Sequence, residues 1–410
     1  MTLHTSKPVT VTNHLDGEGN MARRRRMIKL IILLIEIVIV AVLIIGMIFV
    51  RNLGLYNQVG LNNDNVNVND LNEETLASFS GYTTIALFGL DNREFGELNS
   101  GLSDVIMIVS INNDTKDIKL VSVYRDTYLD VGPEGDSSFN KANSAYAFGG
   151  PERAVSMLNK NLDLDIDSYV TFDFYAVAEA VDIMGGVTVE ITSEAELEEL
   201  NRVIDETNWY LDRESPMIDS IGEHNLDGVQ AVSYARIRKL EGGDYKRAQR
   251  QRIIFSKMVE KAKGSNLRTL NKLIKTIMPD IQSDLSEADM ISMARVMVGY
   301  DMEDSHGFPF ERTTRTLPSA GSSVIPCDLE TNVVELHEYL YGAEDYEPSE
   351  TVKKYSDIIT ERSGCTVDSA EDDQFNEGDD FSGNAPESLS AEEGDGETGE
   401  GTGEDTGEEE

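Results

Sequence analysis

The sequence predicts an α/β protein, a sheet covered by helices on both faces, preceded by one transmembrane helix. Three observations carry that expectation. Leu30–Val50 is apolar apart from Glu36. Three short Val- and Ile-rich runs, "YTTIALFGLD", "SDVIMIVSIN" and "IKLVSVYRD", begin at Tyr82, each bounded by polar or glycine-containing loops. After them, further strand-like runs alternate with amphipathic helical patterns, the mixture expected of a layered sheet-and-helix body.

The N-terminal run comes first. As a helix it would be about 30 Å long, the thickness of a bilayer core. Buried helices of soluble proteins are rarely apolar on every face for this length. Glu36 costs ~3 kcal/mol at a bilayer centre, and the surrounding Leu, Ile and Val, at about −0.5 kcal/mol each, outweigh it. Arg23–Arg26 and Lys29 precede the run, whereas only Arg51 follows closely. The positive-inside rule then puts residues 1–26 in the cytoplasm and everything beyond Val50 outside. "GMIFVRNLGLY" offers no small-x-small cleavage site, so residues 27–50 read as an uncleaved signal anchor of a single-pass cell-membrane protein. Residues 51–80, polar and Asn-rich, read as a stalk.

In the body, helices are expected at Ser144–Leu162, Phe174–Met184, Asp227–Ala235, Asp244–Lys263, Leu267–Met278 and Ser286–Val298. "SYVTFDF" and Gly185–Ile191 read as strands, with Gly185–Gly186 stopping the helix before them. Residues 265–365 read as a helical extension. It holds both cysteines, Cys327 and Cys365; an even count outside the cytoplasm suggests one disulfide, closing a loop of about 38 residues and contributing about 3–4 kcal/mol. The five histidines are scattered, none at ligand spacing from a cysteine, which argues against zinc. Residues 366–410 read as a disordered tail: from Glu371 on there are seventeen acids and no Lys or Arg.

The chemistry-bearing residues gather at strand ends. "LFGLDNR" places Asp91 and Arg93 at the end of the first run. "GLSDVIMIV" places Asp104 at the start of the second, and "LVSVYRDT" places Arg125 and Asp126 at the end of the third. An antiparallel meander would bring Asp91, Asp104, Arg125 and Asp126 to one sheet edge. Carboxylates pushed together need a proton or a cation between them. Magnesium suits the position, because it takes one or two protein carboxylates and completes its shell with waters and phosphate oxygens. An adjoining arginine would grip the same phosphate with paired donors. Spacing equally allows each Asp to cap a turn. Lys141 and Asn143 precede a helix in "FNKANSAYAFGG", where Lys141 also reads as an ordinary surface lysine.

The chain has 75 acids against 35 bases, a net charge of −40, yet Val232–Arg252 holds seven basic side chains. Arg236 and Arg238, two apart, share a face only if the chain is extended there. Asp244, Arg247 and Gln251 share one face of a helix, with Gly242–Gly243 as the break before it and Asp244 as its N-cap. A solvated basic face is the plain alternative, and composition does not name a ligand. Lys239, Lys246 and Arg252 are the bystanders in this reading. Nucleic acid is excluded as a partner: a DNA-binder should be basic, and the basic segment lies across the membrane from DNA.

The motifs "FGLDNR", "GLSD", "SVYRDT", "NKANSAYAFGG", "DIMGGVTVEI" and "LDGVQAVSYARIR" followed by "DYKRAQRQR" occur in the order seen in the LytR-CpsA-Psr family, which attaches glycopolymers to bacterial cell walls. The chain resembles that family from about Tyr82 to about Lys263, so residues 81–264 are the expected catalytic domain. The resemblance implies an α-β-α sandwich holding a polyprenyl chain in an apolar pocket, its pyrophosphate at the mouth with Mg2+. It assigns Asp91 and Asp104 to the metal, and Arg93, Lys141, Asn143, Asp244, Arg247 and Gln251 to the pyrophosphate. Arg125, Asp126, Arg236 and Arg238 become catalytic. The implied reaction moves a glycopolymer from a polyprenyl-pyrophosphate carrier to a peptidoglycan hydroxyl, with Asp126 or Asp104 as candidate base. Hydrolysis of the lipid pyrophosphate, or a non-catalytic wall-binding module, are the alternatives. Two positions depart from the family pattern: Leu102 replaces the usual Arg before Ser-Asp, and Tyr124 the usual Pro before Arg-Asp.

Overall fold

Residues 57–61, 66–91, 98–297, 299–371 and 379–380 are described by the computed structural model. The expected cytoplasmic end and anchor, residues 1–50, and Arg93 lie outside them. Among the described residues no helix is long and apolar enough to cross a membrane.

Helix α1 (Glu73–Phe79) is capped by Asn72, whose side chain accepts from the Thr75 amide at 2.8 Å. The expected meander follows: β1 (Tyr82–Leu90), β2 (Ser103–Asn112) and β3 (Asp117–Val123), each antiparallel to the one before. Successive side chains of a strand point to opposite faces, and here both faces are covered. Ala86, Phe88, Ile106, Ile108 and Val121 enter one core, whereas Ile85, Leu87, Val105, Met107 and Leu120 enter another. That is why these strands read as continuous apolar runs instead of an alternation.

A short hairpin, β4 (Tyr128–Asp130) with β5 (Phe139–Lys141), leads into α2 (Ser144–Leu162), which is interrupted at Gly149–Gly150 before Pro151. Strand β6 (Ser168–Asp173) runs parallel to β1, and the Asp173 side chain caps α3 (Phe174–Ile183). The strand foreseen at Gly185–Ile191 forms as β7 (Val187–Ile191), outside the main sheet. It pairs with β8 (Gly222–Leu226) across α4 (Glu194–Leu211), and with α5 (Gly228–Arg236) these elements bury Val189, Leu200, Ile204 and Leu226 in a satellite core. Next come α6 (Gly243–Lys263) and α7 (Leu267–Ile277).

The chain beyond α7 is not the helical extension expected. Strand β9 (Ile281–Ser283), α8 (Glu287–Met297) and β10 (Asp301–Phe308) come first, then the hairpin of β11 (Arg312–Leu317) and β12 (Gly321–Pro326), and finally α9 (Leu329–Tyr341) and α10 (Glu350–Ser363). The central sheet is therefore wider than the N-terminal half provides: its inner strands run in the order β9-β6-β1-β2-β3-β10, with β10 parallel to β3. Helices α2, α9 and α10 cover one face and α6 packs on the other.

Three further expectations are corrected. The stalk does not extend to residue 80: the Asn67 amide donates to Ser156 Oγ at 3.0 Å and Asn69 Nδ2 to Lys160 O at 2.9 Å, so this segment is docked on α2. The tail does not become free at 366: the Glu371 amide donates to Arg312 O at 3.0 Å, and Asp379–Asp380 pairs antiparallel with β10. Cys327 and Cys365 are buried free thiols, so the expected disulfide is not formed. Cys365 Sγ accepts from Arg315 Nε at 3.4 Å, and Cys327 Sγ is turned towards Ile325 O. Burial and the neighbouring Cys365 push the Cys327 thiol up to about 11.

Candidate active site

The β1–β2 register sets Leu90 opposite Ser103, so Asp91 and Asp104 leave the sheet at one edge. Because β3 is antiparallel to β2, Arg125 and Asp126 return to that edge. Backbone bonds fix the approach. The Asn143 amide donates to Arg125 O at 3.0 Å, and the Ser103 amide donates to Asn143 O at 3.4 Å. Asn143 thus ties the starts of β2 and α2 to the end of β3 through its main chain.

The first turn of α6 completes the cluster. Its N-cap is Gly242, held at φ +82°, a conformation that favours glycine. Asp244 is therefore not the N-cap that its position suggested, and its carboxylate faces arginines instead. Arg125 Nη1 donates to Asp104 Oδ1 at 2.9 Å, and Arg125 Nε lies 3.6 Å from Asp244 Oδ1 and 3.9 Å from Asp126 Oδ2. Arg247 Nη2 is 3.1 Å from Asp244 Oδ1, and its Nη1 is 3.6 Å from Asp104 Oδ2. Arg238 Nη2 reaches Asp244 Oδ2 at 2.8 Å, and Lys141 Nζ reaches Asp126 Oδ1 at 3.1 Å.

Four cations thus face three carboxylates. Burial works against the Arg125 charge, but Asp104, Asp244 and Asp126 outweigh it and hold its pKa above the ordinary guanidinium value. Arg247 goes the other way: burial and the Arg125 charge lower its pKa despite Asp244 and Asp104. The buried Nε atoms of Arg125 and Arg247 have no hydrogen-bond partner among the described residues. Buried donors are normally satisfied, and an unsatisfied one costs about 1–3 kcal/mol. Asp104, Arg125, Asp126, Asp244, Arg247 and Gln251 line a single small cleft, so the helical stripe expected of Asp244, Arg247 and Gln251 does face the strand-end residues.

Behind the cleft stands a support that spacing does not reveal. The Arg312 guanidinium lies 4.8 Å from the Tyr124 ring centre and 4.5 Å from that of Tyr245, and it donates to Pro309 O and Phe310 O at 2.9 and 3.0 Å. The two rings meet edge-on, and Tyr245 Oη pairs with Thr314 Oγ1 at 3.1 Å. Tyr124 adjoins Arg125 and Tyr245 adjoins Asp244, so the β11–β12 hairpin braces both halves of the cluster from behind. Gly307 makes room for this, since a Cβ there would collide with the Tyr124 hydroxyl.

Other residues lie outside the cleft lining. Arg236 is the last residue of α5, not half of an extended pair. It donates to Thr207 Oγ1 at 3.0 Å and sits over the Phe174 and Tyr210 rings. The helix runs one residue further than expected, and Ile237 makes the turn, so Arg236 and Arg238 diverge. Asp91 is exposed at the end of β1. Arg250 donates twice to Glu196 Oε1, and Arg252 donates to Ser305 Oγ; both are buried supports of α6.

The fit to magnesium follows from the donor set. No group of three or more His, Cys, Asp or Glu suited to a metal occurs among the described residues. Both Asp104 oxygens face arginines. Asp91 and Asp104 therefore suit Mg2+, which accepts one or two protein carboxylates, only where phosphate oxygens and waters complete the shell.

Fold and site together define an α/β sheet protein with a sheet-edge cluster of guanidiniums and carboxylates whose free donors suit a multivalent anion. Residues 56–317 match the LytR_cpsA_psr family, and the chain belongs to it. It is 30% identical over 213 residues to the polyisoprenyl-teichoic acid–peptidoglycan teichoic acid transferase TagU of Enterococcus faecalis, covering 52% of this chain and 64% of that one. It is 27% identical to the corresponding transferase TagT of Bacillus subtilis, covering 57% and 73%. The chain thus spans a little under two thirds of the Enterococcus relative. The crystal structure of Bacillus subtilis TagV has the same fold, with a TM-score of 0.51 at 22% identity over 65% of this chain and 98% of that one.

Proposed function

We propose that this chain is a membrane-anchored, extracellular phosphotransferase that moves a glycopolymer from a polyprenyl-pyrophosphate carrier to a peptidoglycan hydroxyl. The observation that carries the reading is the pair of buried Nε donors on Arg125 and Arg247 that make no hydrogen bond among the described residues, in a cluster where cations outnumber acids. A pyrophosphate would satisfy those donors and offset the surplus charge. The names of the similar transferases support a polymer-transfer role over hydrolysis or passive binding.

In this reading the acceptor hydroxyl attacks the phosphorus that bears the glycan. A new P–O bond forms as the bond to the bridging oxygen breaks, and polyprenyl phosphate leaves with the electron pair. Such a transfer depends on positioning and charge neutralisation more than on covalent help from the protein. Arg125, Arg247 and Arg238 bind and orient the phosphates. Asp126 takes the hydroxyl proton, and Lys141, 3.1 Å away, stabilises its carboxylate beforehand. Asp91 and Asp104 would hold Mg2+, which would supply further neutralisation of phosphate charge. An N-terminal anchor in the span 27–50 keeps the body beside its lipid-linked donor.

The test is full-length protein with a lipid-pyrophosphate glycan donor and a peptidoglycan oligomer, with and without magnesium. Phosphodiester-linked product is expected, falling about 10²–10³-fold in Arg125→Ala. Release of free phosphoglycan alone identifies a hydrolase, and donor binding without turnover identifies a binding module.

A further inference from the structure

Helix α7, "LRTLNKLIKTI", contains no acid in a chain of net charge −40. Arg268, Lys272 and Lys275 follow i, i+4, i+7 spacing, which aligns them on one face. All three are exposed, and among the described residues none of them forms an ion pair. The opposite face supplies Leu270 and Ile274 to the interior. Cations of the preceding helix are treated differently: Lys257 pairs with Glu260 and Lys263 with Asp301. The outer face of α7 is thus a basic surface with no ion-pair partner among the described residues.

Its position suggests what covers it. The first described residues lie against the strand that follows α7. The Val59 amide donates to Ser283 O and Tyr169 Oη donates to Val59 O, both at 3.0 Å. Only residues 51–57 separate Gln58 from the end of the expected membrane span, a reach of at most about 25 Å. The C-terminal end of α7 also adjoins the reaction edge. Asp280, just beyond it, has its pKa raised by burial and by the nearby Asp173 at the end of β6.

We propose that the Arg268–Lys272–Lys275 face of α7 docks on the anionic phospholipid headgroups of the bilayer that holds the anchor, turning the reaction edge towards the lipid-linked donor. The inference rests on the anchor proposed above. Because the apolar face of α7 is already used in the interior, docking is electrostatic and superficial, without insertion. Screening confines the attraction to about 8–10 Å, so acids further away on the body weigh little against it.

Full-length protein labelled with a fluorophore at Asn271→Cys, the native Cys327 and Cys365 being buried, would be reconstituted in phosphatidylcholine vesicles with or without phosphatidylglycerol. Vesicle flotation reports the anchor, and quenching by a headgroup-attached quencher reports docking. Anionic lipid should raise quenching, and high salt should reverse it. Changing Arg268, Lys272 and Lys275 to Gln should lower the docked-to-undocked ratio about fivefold per cation. Flotation with equal quenching on neutral and anionic vesicles, or in wild type and triple variant, overturns docking and leaves the transferase reading intact. Failure to float overturns the anchor and docking together. Shielding of the label by a soluble anionic wall polymer but not by lipid overturns the phospholipid assignment.

Discussion

Lys160 and Asp130 form a closed pair of buried charges, whereas Arg125, Arg247 and their carboxylates form an open one. In the closed pair Asp130 Oδ1 accepts from the Gly132 and Ser138 amides at 3.0 and 2.6 Å, and Oδ2 accepts from Lys160 Nζ at 3.0 Å. Lys160 also donates to Gly132 O at 2.7 Å. Burial alone would raise the Asp130 pKa, but Lys160 and the Gly132 amide outweigh it and hold the carboxyl low, while burial lowers the Lys160 pKa despite Asp130. One cation meets one acid, and the loop after β4 is pinned to α2. At the reaction edge four cations meet three acids, and the Nε donors of Arg125 and Arg247 make no hydrogen bond among the described residues. The first arrangement spends its charges on folding. The second keeps donor capacity in reserve, as a site for a polyanion requires.

The largest expected effect lies in the closed pair. Asp130→Ala strands a buried ammonium and should cost about 3–5 kcal/mol in chemical denaturation. His337 tests the burial of a titratable group directly. It is buried and donates through Nε2 to Leu162 O at 2.9 Å, and burial lowers its pKa to about 4. The unfolded chain takes up this proton from about pH 6.5 downward, and the folded one only near pH 4. Its contribution is therefore complete above pH 6.5 and lost as pH falls towards 4, about 3 kcal/mol in all. Comparing the stability–pH curves of wild type and His337→Gln isolates it; parallel curves would show that burial of this ring is not the cause.

Arg312 joins the two regimes, being a buried charge, held by two carbonyls and two rings, that supports the open cluster. Arg312→Met should cost about 2 kcal/mol through its lost hydrogen bonds and ring contacts, and should lower turnover as Arg125 and Asp244 relax. Arg312→Lys should not restore activity, because an ammonium lacks the planar fork that lies against two rings. The smallest effect is expected for Arg238→Ala. This side chain is 52% exposed, so stability should move by less than about 1 kcal/mol, with only a few-fold rise in KM for the donor.

Much of this was legible in sequence where periodicity was strong. The meander, α2, α3, α6 and α7 follow from apolar spacing and glycine breaks, and with the meander came the meeting of Asp104, Arg125 and Asp126. The C-terminal third was misread, because β10 and β11 ("DMEDSHGF", "RTTRTL") carry charged and hydroxyl residues and become strands by pairing with distant partners, β3 in the case of β10. Arg236 was misplaced because the helix runs one residue further than expected, which commits its side chain to Thr207 and the Phe174 and Tyr210 rings. Arg312, Tyr245 and Gly307 could not be found, since their contact with Tyr124 exists only once β10 lies beside β3. Tyr124, conspicuous in sequence only as a replacement for the family's usual proline, proves to be half of the stack that holds Arg312.

The most direct test is titration of a short-chain polyprenyl pyrophosphate into wild type and Arg247→Met, with denaturation of both proteins alongside. An open cluster predicts binding weakened about a hundredfold, with stability unchanged or improved, because a buried, undercompensated charge has been replaced by an apolar side chain. Undiminished binding with a loss of stability would mean that Arg247 belongs to the fold, as Lys160 does, and would contradict the account.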